Sequence, residues 1–139
     1  TATANDEEMQ QRITHHQQQR PQYWQTVETP VALCETLRQY ATEHHCLLVD
    51  CLTLWISNLL CHEQDCQAAQ IALLDTIKTL PGDIIFVSNE VGLGVIPIGS
   101  LSRRFVDESG RVHQALAAQC DRVIFTAAGL PLVLKGEPL

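Results

Sequence analysis

A chain of 139 residues, 45% hydrophobic and 18% charged, has the composition of a folded globular protein with one core. Its formal net charge of −7, with no block of like charge, argues against a nucleic-acid binder, which needs a basic face. No run is apolar enough to span a bilayer: the greasiest, residues 47–60, is broken by Asp50, Thr53, Ser57 and Asn58.

Asn5 followed by Glu8 predicts a helix start, because each side chain can satisfy a free N–H of the first turn. Residues 6–19 then read as a polar helix with Met9 and Ile13 on one face. Arg20-Pro21 ends it, since the residue before proline avoids the α region. Residues 23–27 read as a short extended segment. Thr29-Pro30 predicts the N-cap and first position of a helix that buries Leu33, Leu37 and Tyr40 or Ala41. Residues 46–50 form a short apolar strand ending in Asp50. Residues 52–61 and 67–79 read as helices, with residues 62–66 as a polar break.

Pro81-Gly82 marks a turn. Residues 83–87 are a second buried strand, with Ser88-Asn89-Glu90 at its carboxyl end and a Gly- and Pro-containing loop over 91–99. Residues 100–119 read as a long amphipathic helix that Gly110 is expected to weaken or bend. Residues 122–126 and 130–134 are a third and a shorter fourth strand. Strands alternating with helices predict an α/β fold, a mainly parallel sheet with helices on both faces. Ligands in such folds sit beyond the carboxyl ends of the strands. Three candidate sites then share one rim: Asp50, residues 88–90 and residues 126–129.

The six cysteines (Cys34, Cys46, Cys51, Cys61, Cys66 and Cys120) include no C-x-x-C pair. Zinc binding has little support, and they read as reduced thiols used as small core residues. No secretory signal is found, so a cytoplasmic location is expected.

Asp50 has two readings. A carboxylate at the end of a buried strand can hold Mg2+ in phosphate-transferring enzymes, or can cap the next helix. Glu90, followed by Gly92 and Gly94, could orient metal or water, or belong to an ordinary strand-to-helix loop. The Lys-Ser/Thr ending of a Walker A loop is absent from residues 1–139. His15 and His16 diverge by about 100° around the helix, so both cannot face one small site. A neutral imidazole can attack phosphorus, and Arg12 and Arg20 could bind phosphate oxygens. The same histidines also fit a solvated surface. On the long helix, Arg103, Asp107 and Arg111 are spaced for i, i+4 ion pairs. His44, His45 and His62 read as solvated.

Several of these pieces occur in order in one family. They are Asp6-Glu7-Glu8-Met9, Arg12-Ile13 with His15-His16, Arg20-Pro21, Trp24, Thr26 and Glu28. Next come Leu48-Val49-Asp50-Cys51-Leu52-Thr53 with Asn58-Leu59-Leu60, and Ser88-Asn89-Glu90-Val91-Gly92 with Gly94 and Pro97. Last are Arg103, Phe105, Asp107, Gly110-Arg111-Val112, Gln114 and Ala117. The chain resembles, nearly end to end, the adenosylcobinamide kinase/adenosylcobinamide-phosphate guanylyltransferase family.

The resemblance implies a P-loop NTPase (RecA-like) fold, a homotrimer, and two reactions. One phosphorylates adenosylcobinamide with ATP or GTP. The other moves GMP from GTP onto adenosylcobinamide phosphate through a GMP–histidine. It implies His15 as the nucleophile and Thr1, Ala2, Gln18, Gln19, Arg20, Pro21, Glu28 and Asp50 as nucleotide contacts. Arg12 and Glu90 are supporting candidates, and Asp50 is the candidate Mg2+ ligand. The partners implied are GTP, ATP and the corrinoid.

Two departures stand out. The family's first strand and its phosphate loop ending Gly-Lys-Ser are not in residues 1–139, so a single, N-terminally truncated nucleotide-binding domain of weak activity is expected. His113 stands where the family usually has Asn. Two alternatives remain: a kinase without guanylyl transfer, and a chain that assembles without chemistry.

Overall fold

The structure, a computed structural model, describes residues 1–2 and 7–138, the side chains of Arg12 and His16 excepted. Asn5, the expected cap of the first helix, lies outside the described residues, as does the Arg12 side chain. The elements in chain order are α1 (Glu7–Gln19), α2 (Leu33–Tyr40), β1 (Cys46–Asp50), α3 (Leu52–Cys61), α4 (Cys66–Ile77), β2 (Asp83–Val87), α5 (Ser100–Gln119), β3 (Val123–Ala127) and β4 (Leu130–Lys135).

The core is organised on α3. Leu52, Trp55, Ile56 and Leu59 follow the i, i+3, i+4, i+7 spacing of one helix face, and each is at most 3% exposed. Leu33 and Leu37 of α2, Leu73 of α4, and Val112 and Leu116 of α5 close around them. Gly110 does not break α5, which continues through it to Gln119.

β1 and β2 pair in parallel, with Asp50 opposite Val87 at the carboxyl end. Strand side chains alternate between faces. Leu47, Val49, Ile84 and Phe86 pack on the helices, while Leu48, Ile85 and Val87 are 41%, 51% and 41% exposed. Among the described residues the helices therefore cover one face of this sheet, not both as expected. The apolar runs of the two strands reflect composition, and only alternate residues are covered.

The third and fourth strands also differ from expectation. β3 and β4 form an antiparallel hairpin, separate from the β1–β2 pair. Only Ala128 and Gly129 join them, at φ 52° and 76°. Two left-handed residues make the tight turn of a hairpin, and a connection that short cannot join parallel strands. Residues 126–129 thus form the end of a hairpin that pairs with neither β1 nor β2 among the described residues. Lys135 ties the hairpin to α5, donating to the carbonyls of Ala117 and Ala118 at 2.9 Å each, where a helix end favours a cation.

Two helix starts fall elsewhere than expected. α2 begins at Leu33 rather than at Pro30, and its N-cap Ala32 supplies no side-chain bond. The intervening carbonyls are used by α3: Asn58 Nδ2 donates to Pro30 O at 2.9 Å and Trp55 Nε1 to Val31 O at 3.0 Å. Thr29 instead accepts from Thr36 Oγ1. α4 begins one residue early because Asp65 caps it, accepting from the N–H groups of Gln67 and Ala68. Residues 23–27 form no strand. The thiols are all free, but Cys46 and Cys61 are exposed and only Cys34, Cys51 and Cys66 are buried. No helix among the described residues is long and apolar enough to cross a membrane.

Asn58→Ala is expected to destabilise the protein by about 1–3 kcal/mol, because two acceptors lose one shared donor. Denaturant unfolding measures it, and a change below roughly 0.5 kcal/mol would show that the amide holds nothing.

Candidate active site

The carboxyl end of β1 gathers groups from distant parts of the chain. Thr1 lies against it: its amino group donates to Asp50 O at 3.1 Å. Its hydroxyl donates to Cys51 O at 2.6 Å and accepts from Cys51 N at 3.0 Å. Asn58 Nδ2 holds the Thr1 carbonyl at 2.9 Å.

Two contacts connect residues 26–28 to α1. Gln17 Nε2 donates to Glu28 Oε1 at 3.2 Å, and Arg20 Nη1 donates to Thr26 Oγ1 at 3.1 Å. Ala2 is half-buried beside Thr1, while Gln18 and Pro21 are exposed at the helix end.

His15 is exposed one turn before the end of α1, with Gln19 Nε2 at 2.7 Å from its Nε2. The i, i+4 spacing puts both side chains on one face. As the amide is oriented, it donates to a lone pair on Nε2, and Nδ1 carries the proton. Rotated by half a turn, the amide oxygen accepts from Nε2–H and Nδ1 holds the lone pair. In either orientation Gln19 selects the tautomer.

Asp50 is not a helix cap. The N-cap of α3 is Cys51, without a side-chain bond. Among the described residues the Asp50 carboxylate has no hydrogen-bond or ion-pair partner. No three carboxylate, His or Cys side chains among those residues are placed to hold a metal together. Mg2+ commonly binds through one or two carboxylates, with water and substrate phosphates completing its shell. A single Asp50 without a partner among the described residues fits that mode and not an all-protein cage.

A second cluster stands at the carboxyl end of β2. Ser88 Oγ lies 2.6 Å from His113 Nε2 on α5. Thr53 of α3 lies 3.2 Å from Ser88 Oγ, accepts from Asn89 N at 2.8 Å and donates to Asn89 Oδ1 at 3.2 Å. Glu90 Oε1 accepts from Gly92 N at 2.6 Å, and Glu90 Oε2 lies 3.7 Å from His113 Nδ1. The helix charges differ from the expected pairing. Arg103 Nη1 donates to the Pro97 and Ile98 carbonyls, and Arg111 pairs with Glu108 at 2.9 Å. Asp107 instead lines a cleft of about 570 Å³ shared with Glu90, Arg111 and His113. The roles of Thr53, His113 and Asn58 were not legible locally: each acts across more than 20 residues of sequence.

Fold and site together define an α/β protein whose polar groups collect at the carboxyl ends of two parallel strands, where such folds bind ligands. Residues 1–134 match the family Cobinamide kinase / cobinamide phosphate guanyltransferase. The chain belongs to that family. It is 57% identical over 141 residues to the Bifunctional adenosylcobalamin biosynthesis protein CobP of Pseudomonas aeruginosa, covering 100% of this chain and 82% of that protein. It is 35% and 33% identical over 150 residues to the Bifunctional adenosylcobalamin biosynthesis protein CobU of Escherichia coli K12 and of Salmonella typhimurium LT2. Each match covers 97% of this chain and 83% of the relative.

Gln19→Leu should change the ratio of Nδ1–H to Nε2–H tautomers at His15, read from imidazole 15N shifts. An unchanged ratio would remove Gln19 from this role.

Proposed function

We propose that the protein phosphorylates adenosylcobinamide with ATP or GTP and transfers GMP from GTP to adenosylcobinamide phosphate through His15, giving adenosylcobinamide-GDP. Family membership supports both reactions. The observation that supports the site assignment is the placement of Thr1 against Asp50 and Cys51 at the end of β1, with the His15 helix bonded through Gln17 to Glu28.

The neutral His15 imidazole attacks the α-phosphorus of GTP with the lone pair of one ring nitrogen. An N–P bond forms as the P–O bond to pyrophosphate breaks. A phosphate oxygen of the corrinoid then attacks the same phosphorus, and the imidazole is regenerated. Arg20 offsets charge on the phosphate oxygens. Thr1, Ala2, Gln18, Gln19, Pro21 and Glu28 complete the nucleotide contacts. Asp50 would hold Mg2+, which neutralises phosphate charge when bound. A P-loop NTPase type of fold, a homotrimeric assembly and a cytoplasmic location belong to the same reading.

Incubating the full-length natural protein with α-labelled GTP and Mg2+ tests it. Acid-labile, alkali-stable label should appear on His15. His15→Asn should abolish that label while phosphorylation of adenosylcobinamide persists. Label that survives His15→Asn refutes the assignment, and phosphorylation without any label leaves a kinase alone.

Asp50→Asn should weaken Mg2+-dependent nucleotide binding at least about tenfold, as for a lost charge-assisted contact of roughly 1.5 kcal/mol. Calorimetry with and without Mg2+ measures it, and equal affinities would take Asp50 out of the metal site.

A further inference from the structure

The cleft at the carboxyl end of β2 differs in chemistry from the end of β1. Asp107, Gly110, Arg111 and Gln114 line it from α5, at the i, i+3, i+4, i+7 spacing of one helix face. Glu90, Gly92 and Leu93 line it from the loop after β2. Two carboxylates face one guanidinium there, and Arg111 already pairs with Glu108 at 2.9 Å. This wall disfavours phosphate groups and favours a neutral or cationic ligand. Among the described residues the Asp107 carboxylate and the Gln114 amide have no hydrogen-bond or ion-pair partner. His113 closes the wall with Nε2 turned to Ser88, a hydrogen-bonding position that an asparagine also fills.

Gly110 sits in the middle of that helix face. After proline, glycine is the poorest residue for a helix interior. Gly92 answers to a neighbour in the fold, since a Cβ there would meet Glu90 Oε1 at 2.9 Å. A Cβ on Gly110 would meet nothing within 4 Å, and the position lines the open cleft. The missing side chain leaves room for an occupant of the cleft, not for a neighbouring residue. The rim beside it is apolar. Leu93 is 79% exposed, and Val95, Ile96 and Ile98 further along the loop are 95%, 78% and 97% exposed. Such a group of side chains gains by covering an apolar surface on a ligand.

We propose that this cleft binds the corrinoid, holding one carboxamide-bearing edge of the macrocycle between α5 and the loop while the ring lies across Leu93 and its apolar neighbours. This rests on the reading above, in which adenosylcobinamide is the substrate. That molecule is an apolar ring system edged with carboxamide side chains, and it carries net positive charge before phosphorylation. A cleft of about 570 Å³ is too small for all of it and fits an edge. The carboxylates of Glu90 and Asp107 accept from carboxamide N–H groups, and Gln114 and Arg111 donate to carboxamide carbonyls. The cleft opens at the end of β2, whose last residue, Val87, is opposite Asp50. The hydroxyl to be phosphorylated, carried on one of the carboxamide arms, is thereby brought to the rim where the nucleotide phosphates bind.

The test compares the full-length natural protein with Gly110→Leu, Gln114→Leu and Leu93→Asp. Equilibrium dialysis gives the Kd for adenosylcobinamide, and phosphorylation assays give KM for adenosylcobinamide and for ATP. Gly110→Leu fills the cleft and should weaken corrinoid binding at least about tenfold. Gln114→Leu removes one hydrogen-bonding group and should weaken it about fivefold. Leu93→Asp removes apolar contact and should weaken it about tenfold. KM for adenosylcobinamide should rise in step, while KM for ATP and GMP labelling of His15 stay within about twofold. Gln114 and Leu93 are exposed, so their variants decide the matter if Gly110→Leu does not fold. Unchanged corrinoid affinity in the folded variants overturns the site and leaves the proposed function standing. A sedimentation mass lowered by Leu93→Asp at unchanged affinity makes the loop a contact between copies and also overturns it. If the unaltered protein neither binds nor phosphorylates adenosylcobinamide, the reading beneath the site falls, and the site with it.

Discussion

One amide side chain holds the frame on which the candidate site is built. Asn58 sits on α3, on the flank of the stripe that is the centre of the core. Its two N–H groups go to the carbonyls of Thr1 and Pro30, segments that share no secondary structure with it. A buried carbonyl without a donor is costly, so each segment is held where the amide can reach it. The first pins Thr1 against the end of β1. The second keeps residues 30–32 out of helix and fixes where the stretch carrying Thr26 and Glu28 returns. That stretch in turn is bonded to α1, through Gln17 to Glu28 and Arg20 to Thr26.

That dependence explains what could be read from the chain alone. β1, β2, α3 and α5 were legible because each has its own period or apolar run, and the structure keeps their boundaries. The start of α2 was not. Thr29-Pro30 is a sound local pattern, but Asn58 and Trp55 use the carbonyls that a helix would need. The hairpin was missed because its turn places a non-glycine residue, Ala128, in the left-handed region. Composition could not show that Leu48, Ile85 and Val87 face away from the helices, since covered and uncovered strand residues are equally apolar here.

The site divides in the same way. Asp50 was visible as a carboxylate at the end of an apolar run, with capping as its rival reading. The structure removes capping by giving the N-cap to Cys51. His15 and its nucleotide contacts came from ordered motifs and not from local chemistry, since a histidine on a Gln-rich helix is equally a surface residue. The contact of Ser88 with His113 spans 25 residues and depends on how α5 packs against the sheet, so no local pattern could reveal it.

The two histidines sit in different settings, His15 exposed and His113 half-buried. His15 is exposed on its helix, with Gln19 as the neighbour that chooses its tautomer. His113 is held by a 20-residue helix packed into the core, with Ser88 at one nitrogen and Glu90 beyond the other. The two rings therefore stand on separate helices, one open and one fixed between a strand end and a carboxylate, and their surroundings are set by different parts of the chain.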